Sequence, residues 1–518
     1  MNTVLDIEIT RLEEQVRLDT RKSAAERNRW GQFATPPALA LDIARYARKH
    51  CRKRAIRFLE PAAGTGAFFS AFRQTFPEKT ISAAIGVERD PDLACAARAL
   101  WGEQGLDVTT ADFTRLEPPE EPYDLILTNP PYVRHHHLTP DDKSFLQRRT
   151  ARRCGLKPSG LAGLYVYFLL LSHDWLAERG LAIWLIPSEF MDVNYGEAAR
   201  DYLTHQVTLL HIHRFCPDDV QFTDALVSSA IVVLRKAPPP TGHKVRFSLG
   251  GSLNDPALEQ DVCIGELKSA QRWTQFPRRS KKRANVPTVS LGEFFAIKRG
   301  LATGANDFFI LERSKAKELG ISPRFLKPIL PSPRYLRQCT IESDHDGYPL
   351  LAPQLVMIDC EIPEAQLKDS HPGLWAYLQQ GKARGIHEGY LASRRSPWYS
   401  QENRPPAPYL CTYMGRSANG RKPFRFIWNK SRAVAANVYL MLYPKRALAE
   451  RLAADAALYQ RVFEALEVVP AETFMKESRG YGGGLFKLEP SELARVPADR
   501  LSEILGAVAF PAEPMLFA

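Results

Sequence analysis

Apolar residues in the first half of the chain follow two alternating patterns. Short stretches that are apolar along their whole length, as in buried strands, alternate with longer stretches that have apolar residues at helical spacing. Strands are predicted at residues 56–59, 81–87, 123–127, 181–186, 207–213 and 228–234. Helices are predicted at residues 5–30, 38–48, 67–76, 91–101, 164–177 and 196–205. Because strands alternate with helices, we expect an α/β fold with a doubly wound, Rossmann-like and largely parallel sheet.

A proline-rich segment at residues 236–242, Lys-Ala-Pro-Pro-Pro-Thr-Gly, ends this alternation. Three prolines and a glycine cannot continue a helix or a central strand. Beyond this segment the pattern is irregular and rich in proline, glycine and aromatic residues, which favours mixed α/β structure. We therefore expect a helical extension at residues 1–30, an α/β domain at residues 31–240 and a mixed α/β domain at residues 241–518.

The distribution of charge separates the same two regions. The chain has 69 lysines and arginines against 58 acidic residues, a net charge of +11, and all of this excess lies beyond residue 240. A neutral region followed by a basic one indicates that the second region contacts a polyanion, although a solvated basic surface would have the same composition. The densest basic run could contact phosphates or form a solvated loop, and it consists of Arg278, Arg279, Lys281, Lys282 and Arg283.

Neither a leader peptide nor a membrane span is predicted. The first 22 residues carry charges throughout, and the apolar run at residues 164–175 is too short to cross a bilayer. The chain has eight cysteines and no CxxC pair, which argues against a disulfide framework and for a reducing compartment. We expect a soluble cytoplasmic protein that does not contact a membrane.

Three adjacent histidines, His135, His136 and His137, suggest a metal site at first sight. Consecutive side chains point in different directions, and no cysteine or carboxylate lies at a spacing that would complete a ligand set. We therefore expect no bound metal.

A glycine turn follows the first predicted strand, in the run Glu60-Pro61-Ala62-Ala63-Gly64-Thr65-Gly66. Gly64 and Gly66 would let a ligand approach the backbone at the carboxyl end of a strand, although a simple tight turn is an equal alternative. The carboxylate of Glu60 suits the ammonium group of an amino acid better than it suits a phosphate.

Polar residues also mark the ends of the next two strands. Glu88 ends the second strand, about 20 residues after the glycine turn, where an acid can accept two hydrogen bonds from a ribose diol. Asp112 and Phe113 follow the third strand and could accept from an adenine amine and cover an adenine ring.

The next predicted strand ends in Asn129-Pro130-Pro131-Tyr132. The two prolines fix the backbone, and the Asn129 side-chain oxygen and the Pro130 carbonyl can accept from one NH₂ group. The Tyr132 ring offers a face for stacking. Two acceptors on an aromatic amine localise the lone pair of its nitrogen, so the motif predicts a receptor for a planar ring with an exocyclic amine.

Taken together, these motifs resemble the γ class of S-adenosylmethionine-dependent DNA adenine-N6 methyltransferases of type II restriction–modification systems. The order of Phe33-Ala34-Thr35-Pro36-Pro37, the glycine turn, Asn129-Pro130-Pro131-Tyr132 and a C-terminal basic region carries the resemblance. It implies that S-adenosylmethionine is bound by Thr35, Glu60, Pro61, Ala62, Gly64, Gly66, Glu88, Asp112, Phe113 and Asn129. It implies that the catalytic residues are Asn129, Pro130, Pro131, Tyr132 and, as a second aromatic that stacks on the base, Phe222.

The resemblance continues, less sharply, into the second half at residues 298–306, 324–330 and 481–485. It implies a methyltransferase domain at residues 31–240 and a DNA target-recognition domain at residues 241–518, with Lys298, Arg299 and Thr303 as candidate base contacts. The expected partner is double-stranded DNA, from which the target base is flipped. Only about 30 residues precede the Thr-Pro-Pro motif, too few for a fused nuclease, so a cognate restriction endonuclease would be a separate chain. We expect a monomer.

Two other functions are compatible with parts of the pattern. The first is methylation of RNA or of a protein glutamine, whose amide is also a planar NH₂ group, but such an enzyme does not require a large basic region. The second is a sequence-specific DNA-binding protein that has lost catalysis, but Asn129 and the glycine turn are both intact.

Overall fold

The computed structural model describes residues 3–216, 219, 221, 228–270, 272–277, 289–416, 422–481 and 485–505. The chain divides into two compact units, Met1–Lys281 with Tyr481–Gly483, and Lys282–Gly480 with Gly484–Ala518. Phe222 and the basic run at residues 278–283 lie outside the described residues, so their roles remain predictions.

A large mixed sheet forms the centre of the first unit. Its strands are β1 (Ile56–Glu60), β2 (Ile81–Glu88), β3 (Leu106–Thr110), β4 (Tyr123–Thr128), β5 (Leu176–Pro187), β6 (Thr208–Arg214), β7 (Ser229–Arg235), β8 (Lys244–Gly251) and β9 (Pro256–Cys263). Their order in the sheet is β3-β2-β1-β4-β5-β7-β6-β8-β9. Strands β1 to β5 are parallel, and β7 runs antiparallel between β5 and β6. The predicted doubly wound α/β fold is confirmed.

Two hydrophobic cores cover the faces of this sheet. Along β4, Leu125 and Leu127 face one core while Ile126 faces the other, because successive side chains of a strand point to opposite faces. Both faces of β4 are therefore buried, which is why Leu125, Ile126 and Leu127 follow one another without a polar residue between them.

Helices flank the sheet on both faces. They are α1 (Val4–Thr20), α2 (Ala24–Trp30), α3 (Pro37–His50), α4 (Ala67–Thr75), α5 (Pro91–Trp101), α6 (Pro140–Cys154), α7 (Leu164–Leu171), α8 (Glu197–Asp201) and α9 (Ile264–Ser269). Among the helices that the structure describes in the whole chain, none is both long and apolar enough to cross a bilayer.

Two predicted helices differ from the observed ones. The single helix predicted at residues 5–30 is two helices, because Ser23 and Glu26 form a capping box that starts α2. The helix predicted at residues 164–177 ends at Leu171, and the last part of that apolar run enters β5. Apolar side chains alone do not distinguish a buried helix from a buried strand.

The central sheet continues beyond the proline-rich segment at residues 236–242. Strand β8 pairs in parallel with β6, and β9 pairs antiparallel with β8. The first compact unit therefore extends to residue 281, past the boundary predicted at residue 240, because these two strands complete the sheet.

The second unit has mixed α/β structure, as predicted. Its helices are α10 (Leu291–Phe294), α11 (Asn306–Phe309), α12 (Arg313–Glu318), α13 (Glu364–Ser370), α14 (Pro372–Ala383), α15 (Arg446–Ala454), α16 (Ala457–Glu467), α17 (Ala471–Glu477), α18 (Pro490–Ala494) and α19 (Asp499–Leu505). The remaining strands are β10 (Phe295–Arg299), β11 (Ile310–Glu312), β12 (Leu326–Ile329), β13 (Thr340–Ile341), β14 (Leu355–Ile358), β15 (Tyr409–Thr412), β16 (Met414–Arg416), β17 (Phe426–Asn429), β18 (Tyr439–Pro444), β19 (Arg479–Tyr481) and β20 (Leu485–Lys487). A five-stranded sheet has the order β10-β18-β15-β17-β13, and a smaller sheet has the order β11-β14-β12.

Candidate active site

A cavity of about 490 Å³ lies at the carboxyl ends of β1 to β4 in the first unit. Doubly wound sheets bind their ligands at this edge, and the volume is in the usual range for a small-molecule site. The predicted site residues that line this cavity are Pro61, Ala62, Gly64, Glu88, Asp112, Phe113, Asn129 and Pro131.

The two glycines of the turn have different surroundings. Gly64 lines the cavity with a φ of 55°, and a Cβ atom added there would meet no atom within 4 Å. Gly66 has a φ of 87°, and a Cβ atom there would lie 2.6 Å from a ring carbon of Trp101. Gly64 therefore leaves room for a ligand, whereas Gly66, which was expected at the cofactor, allows close packing against Trp101.

Glu60 lies behind the wall of the cavity and was expected at a ligand ammonium. Its two carboxylate oxygens accept hydrogen bonds from the amides of Phe68 (3.1 Å) and Phe69 (2.9 Å) at the start of α4. Burial raises the pKa of Glu60 to about 8, and these two hydrogen bonds and the charge of Arg11 oppose that rise. Glu60 therefore anchors the N-terminus of α4 and is not part of the described cavity wall.

Glu88 ends β2 and faces the cavity, as predicted. Its Oε2 accepts from the Gly64 amide and its Oε1 accepts from the Asp90 amide, both at 2.8 Å. Burial raises its pKa. Each carboxylate oxygen has more than one acceptor position, so both can accept a second hydrogen bond from the cavity.

Asp112 and Phe113 form the next part of the wall. The Phe113 ring is buried, stacks on Phe168 with a 5.4 Å centroid separation, and contacts Trp175. Asp112 Oδ1 accepts from the amide and the hydroxyl of Thr114 at 3.0 and 2.6 Å, which caps the turn that follows β3. The two residues thus supply a flat apolar surface and, beside it, a carboxylate held in place by its own turn.

Asn129 follows β4 and has a fixed orientation. Its Nδ2 donates to the Phe33 carbonyl at 3.0 Å and to the Thr35 hydroxyl at 3.2 Å. Its Oδ1 is buried and has no hydrogen-bond partner among the described residues. Thr35 therefore orients Asn129 and does not itself line the cavity. A buried acceptor without a partner is unfavourable for folding, and such groups concentrate at functional sites.

Tyr132 is packed inside the protein. Its side chain is 6% exposed, and its hydroxyl donates to the Leu185 carbonyl at 3.2 Å. Burial raises its pKa. Its ring lies 5.8 Å from the Phe33 ring at an angle of 51°, and its amide donates to the Gly31 carbonyl. The structure thus places the ring that was expected to stack on a base in the core beside Phe33.

One wall of the cavity is not predicted by the sequence patterns. The C-terminal end of α1 and the residues that follow it form this wall. Gln15, Leu18, Asp19 and Lys22 line this side. Lys22 Nζ forms an ion pair with Asp90, the residue that caps α5, and Lys22 donates to Gln32 at 3.1 Å. The sequence indicates a helix cap at Asp90-Pro91, but a cap does not show that Asp90 also forms an ion pair with Lys22.

Three predicted base contacts lie in the second unit and differ in accessibility. Lys298 and Arg299 are exposed on β10. The Arg299 guanidinium lies 4.0 Å from the centroid of the Tyr413 ring and donates to the Asn437 carbonyl at 3.0 Å. Thr303 is fully buried, and its hydroxyl donates to Asn306 at 2.6 Å, so it is a structural residue of its turn and does not reach a base.

Two family models match this chain. The model of the Eco57I restriction-modification methylase matches residues 95–222, and the model of the C-terminal domain of the type II methyltransferase M.Eco57I matches residues 275–510. The type II methyltransferase M.XamI of Xanthomonas campestris pv. amaranthicola is 29% identical over 457 residues, which cover 86% of this chain and 81% of the relative. This chain belongs to the type II restriction–modification methyltransferases.

Other similarities agree with this assignment. The type II methyltransferase M.AccI of Acinetobacter calcoaceticus is 26% identical over 488 residues, which cover 91% of this chain and 85% of that relative. The solved structure of the type IIL restriction-modification enzyme MmeI in complex with DNA is similar with a TM-score of 0.52 at 12% identity. That similarity covers 95% of this chain and 78% of MmeI. This type II methyltransferase therefore shares the MmeI fold across both of its units.

Proposed function

We propose that this chain transfers a methyl group from S-adenosylmethionine to N6 of adenine within a specific sequence of double-stranded DNA. In this proposal it is the modification enzyme of a restriction–modification system, and a separate chain carries any cognate nuclease. The observation that carries the proposal is Asn129 Oδ1, a buried acceptor with no hydrogen-bond partner in the described part of the chain.

The surroundings of Asn129 suit it to polarise an amine. Because Phe33 and Thr35 accept from its Nδ2, rotation of the amide would lose both hydrogen bonds, and Oδ1 stays available. The Pro130 carbonyl, between the cavity-lining residues Asn129 and Pro131, is the second proposed acceptor. Two acceptors on one NH₂ group would localise the nitrogen lone pair. The nitrogen could then bond to a methyl carbon as the bond from that carbon to a sulfonium breaks and leaves a neutral thioether, and the methylated amine would release one proton. Catalysis of this kind rests on positioning and electrostatics.

The cavity beside Asn129 fits S-adenosylmethionine. That cofactor supplies a methyl group made electrophilic by its sulfonium. Glu88 offers two acceptors for a ribose diol, Phe113 offers an apolar face for adenine, and Gly64 leaves space for close approach of the backbone. These three features occupy the ends of β1, β2 and β3, beside the proposed catalytic Asn129 at the end of β4.

Recognition of DNA is assigned in this proposal to the basic second half of the chain. An adenine amine lies inside the base stack of a duplex, so the target base must be flipped before Asn129 can reach it. The net charge of +11 beyond residue 240 favours contact with phosphates, which holds the duplex without specifying its sequence. Lys298 and Arg299 are exposed and remain candidate contacts. Phe222 remains a proposed stacking aromatic for the flipped base, and we propose that the protein acts as a monomer in the cytoplasm.

The proposal is tested by identifying the methylated product. The purified chain is incubated with radiolabelled S-adenosylmethionine and with unmodified duplex DNA, RNA or protein, and the DNA is then digested to nucleosides. We expect label only in N6-methyladenine, and modified adenines that map to one recognition sequence. The Asn129→Ala variant is the control and should give no label above background. Label in RNA, in protein or in another base would contradict the proposal.

A further inference from the structure

Helix α1 is part of the cofactor cavity as well as of the hydrophobic core. It packs on α4 and α5, and Leu18 contacts Leu93 and Ala96 of α5. Gln15 and Leu18 also line the cavity. The helix therefore connects the glycine turn, which precedes α4, with the cap of α5.

Arg11 is the buried cation of this helix. Only 1% of its surface is exposed. Its Nε and Nη2 donate to the two carboxylate oxygens of Glu8, both at 2.7 Å, which forms a bidentate ion pair. Its Nη1 points away from this pair and donates to the hydroxyl of Thr65 at 3.1 Å. Arg11 thus reaches from α1 to the middle of the glycine turn.

Thr65 is held by three groups from two helices. Besides accepting from Arg11, its hydroxyl donates to Gln15 at 2.8 Å, and its carbonyl accepts from the Trp101 indole N–H at 3.0 Å. The preceding residue, Gly64, lines the cavity and donates its amide to Glu88. Thr65 is bonded directly to Gly64, so the contacts that hold Thr65 restrict where the Gly64 backbone can lie.

We infer that Arg11 is a positioning residue for the cofactor: through the Thr65 hydroxyl it holds Gly64 and Glu88 in the arrangement that receives S-adenosylmethionine. The inference rests on the proposed function. Enclosing a guanidinium is costly, and apolar side chains fill such positions at lower cost when only packing is needed. A rigid fork that binds Glu8 on one side and Thr65 on the other preorganises the turn before the cofactor arrives.

The test compares Arg11→Lys with Arg17→Lys. Both arginines lie on α1 and pair with a glutamate three residues earlier, but the Arg17–Glu14 pair is at the surface. A lysine at position 11 keeps the charge but cannot bind Glu8 at two points and also reach Thr65. In calorimetric titrations with S-adenosylmethionine, we expect Arg11→Lys to raise Kd roughly 10- to 100-fold and Arg17→Lys to leave it unchanged.

Steady-state kinetics separate positioning from a general structural defect. In Arg11→Lys, KM for S-adenosylmethionine should rise by the same factor as Kd, and kcat at saturating cofactor should be retained. An unchanged Kd would overturn the inference. A fall in kcat with an unchanged KM would overturn it as well.

Thr65 provides a second test that leaves the buried ion pair intact and decides the matter if Arg11→Lys does not fold. Thr65→Ser keeps the hydroxyl, whereas Thr65→Val keeps only the shape of the side chain. We expect the valine variant to bind S-adenosylmethionine at least tenfold more weakly than the serine variant. Equal affinities would overturn the inference. These titrations require no DNA, so a wild-type chain that binds the cofactor but does not methylate DNA would contradict the proposed function alone.

Discussion

Two regions of the molecule differ in how completely their polar groups are hydrogen-bonded. One is the proposed cofactor site at the carboxyl ends of β1 to β4, which we call the cofactor edge, and the other is the turn after β10 in the second unit. At the cofactor edge, Asn129 Oδ1 has no partner in the described part of the protein, and Gly64 leaves open space beside its backbone. In the turn after β10, the Thr303 hydroxyl is bonded to Asn306 and the Arg299 guanidinium lies over Tyr413.

This difference shows why the proposed methyl-transfer chemistry is easier to infer from the structure than the recognition of a DNA sequence. Buried polar groups are normally satisfied, so an unsatisfied acceptor beside a cavity is a candidate contact for a ligand. A satisfied threonine in a turn carries no such information. The proposed chemistry can therefore be located to individual atoms, whereas base recognition depends on which exposed side chains reach a groove.

The largest effect is expected at Asn129, whose Oδ1, unpaired among the described residues, distinguishes the cofactor edge from the turn after β10. Asn129→Ala should lower the methylation rate by roughly 10²–10³ or more, because one of two acceptors on the target amine is lost. Cofactor affinity should stay within a few-fold, since Glu88, Phe113 and Gly64 are unchanged. Single-turnover rates and calorimetric titrations measure the two quantities. The control Thr35→Val removes one contact that orients Asn129 but keeps Oδ1, so its rate should fall by less. Near wild-type turnover in Asn129→Ala would exclude the assigned role.

A second prediction concerns Glu88, which lines the proposed S-adenosylmethionine cavity at the end of β2. Glu88→Ala removes charged acceptors at the end of β2 and should weaken S-adenosylmethionine binding about 10- to 100-fold. Glu78→Ala, at a glutamate whose side chain is 81% exposed, is the matched control and should bind normally. Calorimetry measures both. If both variants bind S-adenosylmethionine like the wild type, the cofactor lies elsewhere.

The third prediction uses buried histidines of the first unit. His211 and His213 both contact the Ser248 hydroxyl, at 2.7 and 2.8 Å. Burial lowers the pKa of His211 to about 3 and of His213 to about 4. Below pH 6.5 the unfolded chain binds protons that the folded chain excludes, so stability is lost as the pH falls from 6.5 toward 4. The expected loss at pH 5 is roughly 2 kcal/mol for each histidine.

The measurement is urea unfolding of the full chain between pH 7 and pH 5. His213→Asn should reduce the dependence of the unfolding free energy on pH by about half, because one of the two titrating groups is removed. His345→Asn, at an exposed histidine of the second unit, should leave it unchanged. Parallel pH profiles for the wild type and His213→Asn would show that this histidine is not excluded from protonation.

The smallest expected effect is at Lys298. If this exposed lysine contacts a base, as the resemblance implies, Lys298→Ala should relax the sequence preference at one base pair. If it contacts a phosphate instead, Lys298→Ala should reduce the slope of log affinity for duplex DNA against log salt by about 0.9, with no change in sequence preference. Thr303→Val should leave the slope unchanged, because Thr303 is buried. An unaltered slope in Lys298→Ala would remove this lysine from the phosphate contacts.

The parts of the site that follow from backbone position could be predicted from sequence. Glu88 and Asn129 each follow an apolar strand, and the carboxyl ends of parallel strands lie at one edge of the sheet. The direction of a side chain is harder to predict. Glu60 and Gly66 flank the same turn as Gly64, yet one bonds α4 and the other packs on Trp101. Neighbouring residues point to different sides, and no local pattern indicates which side meets the ligand.

Contacts between residues that are far apart in the chain could also not be predicted from local sequence patterns. The charged helix at the N-terminus was visible as a helix, but its hydrogen bond from Arg11 to Thr65 joins residues 54 positions apart. The buried Tyr132 illustrates the same limit, because its packing depends on Phe33 and on the β5 carbonyl of Leu185. Local patterns carry the order of elements, and tertiary packing decides which side chains remain available.

The pairing of Arg11 with Glu8 has a consequence for the order of events during protein synthesis. Helix α1 leaves the ribosome on the order of ten seconds before α5, the helix on which it packs, is complete. An isolated helix of this length is marginally stable in water, so before α5 is synthesised α1 is solvent-exposed and only partly helical. Because Glu8 lies one turn before Arg11, the cation carries its counter-ion within the same segment. Because Glu8 and Arg11 are only three residues apart, their opposite charges can be buried together when α1 packs on α5.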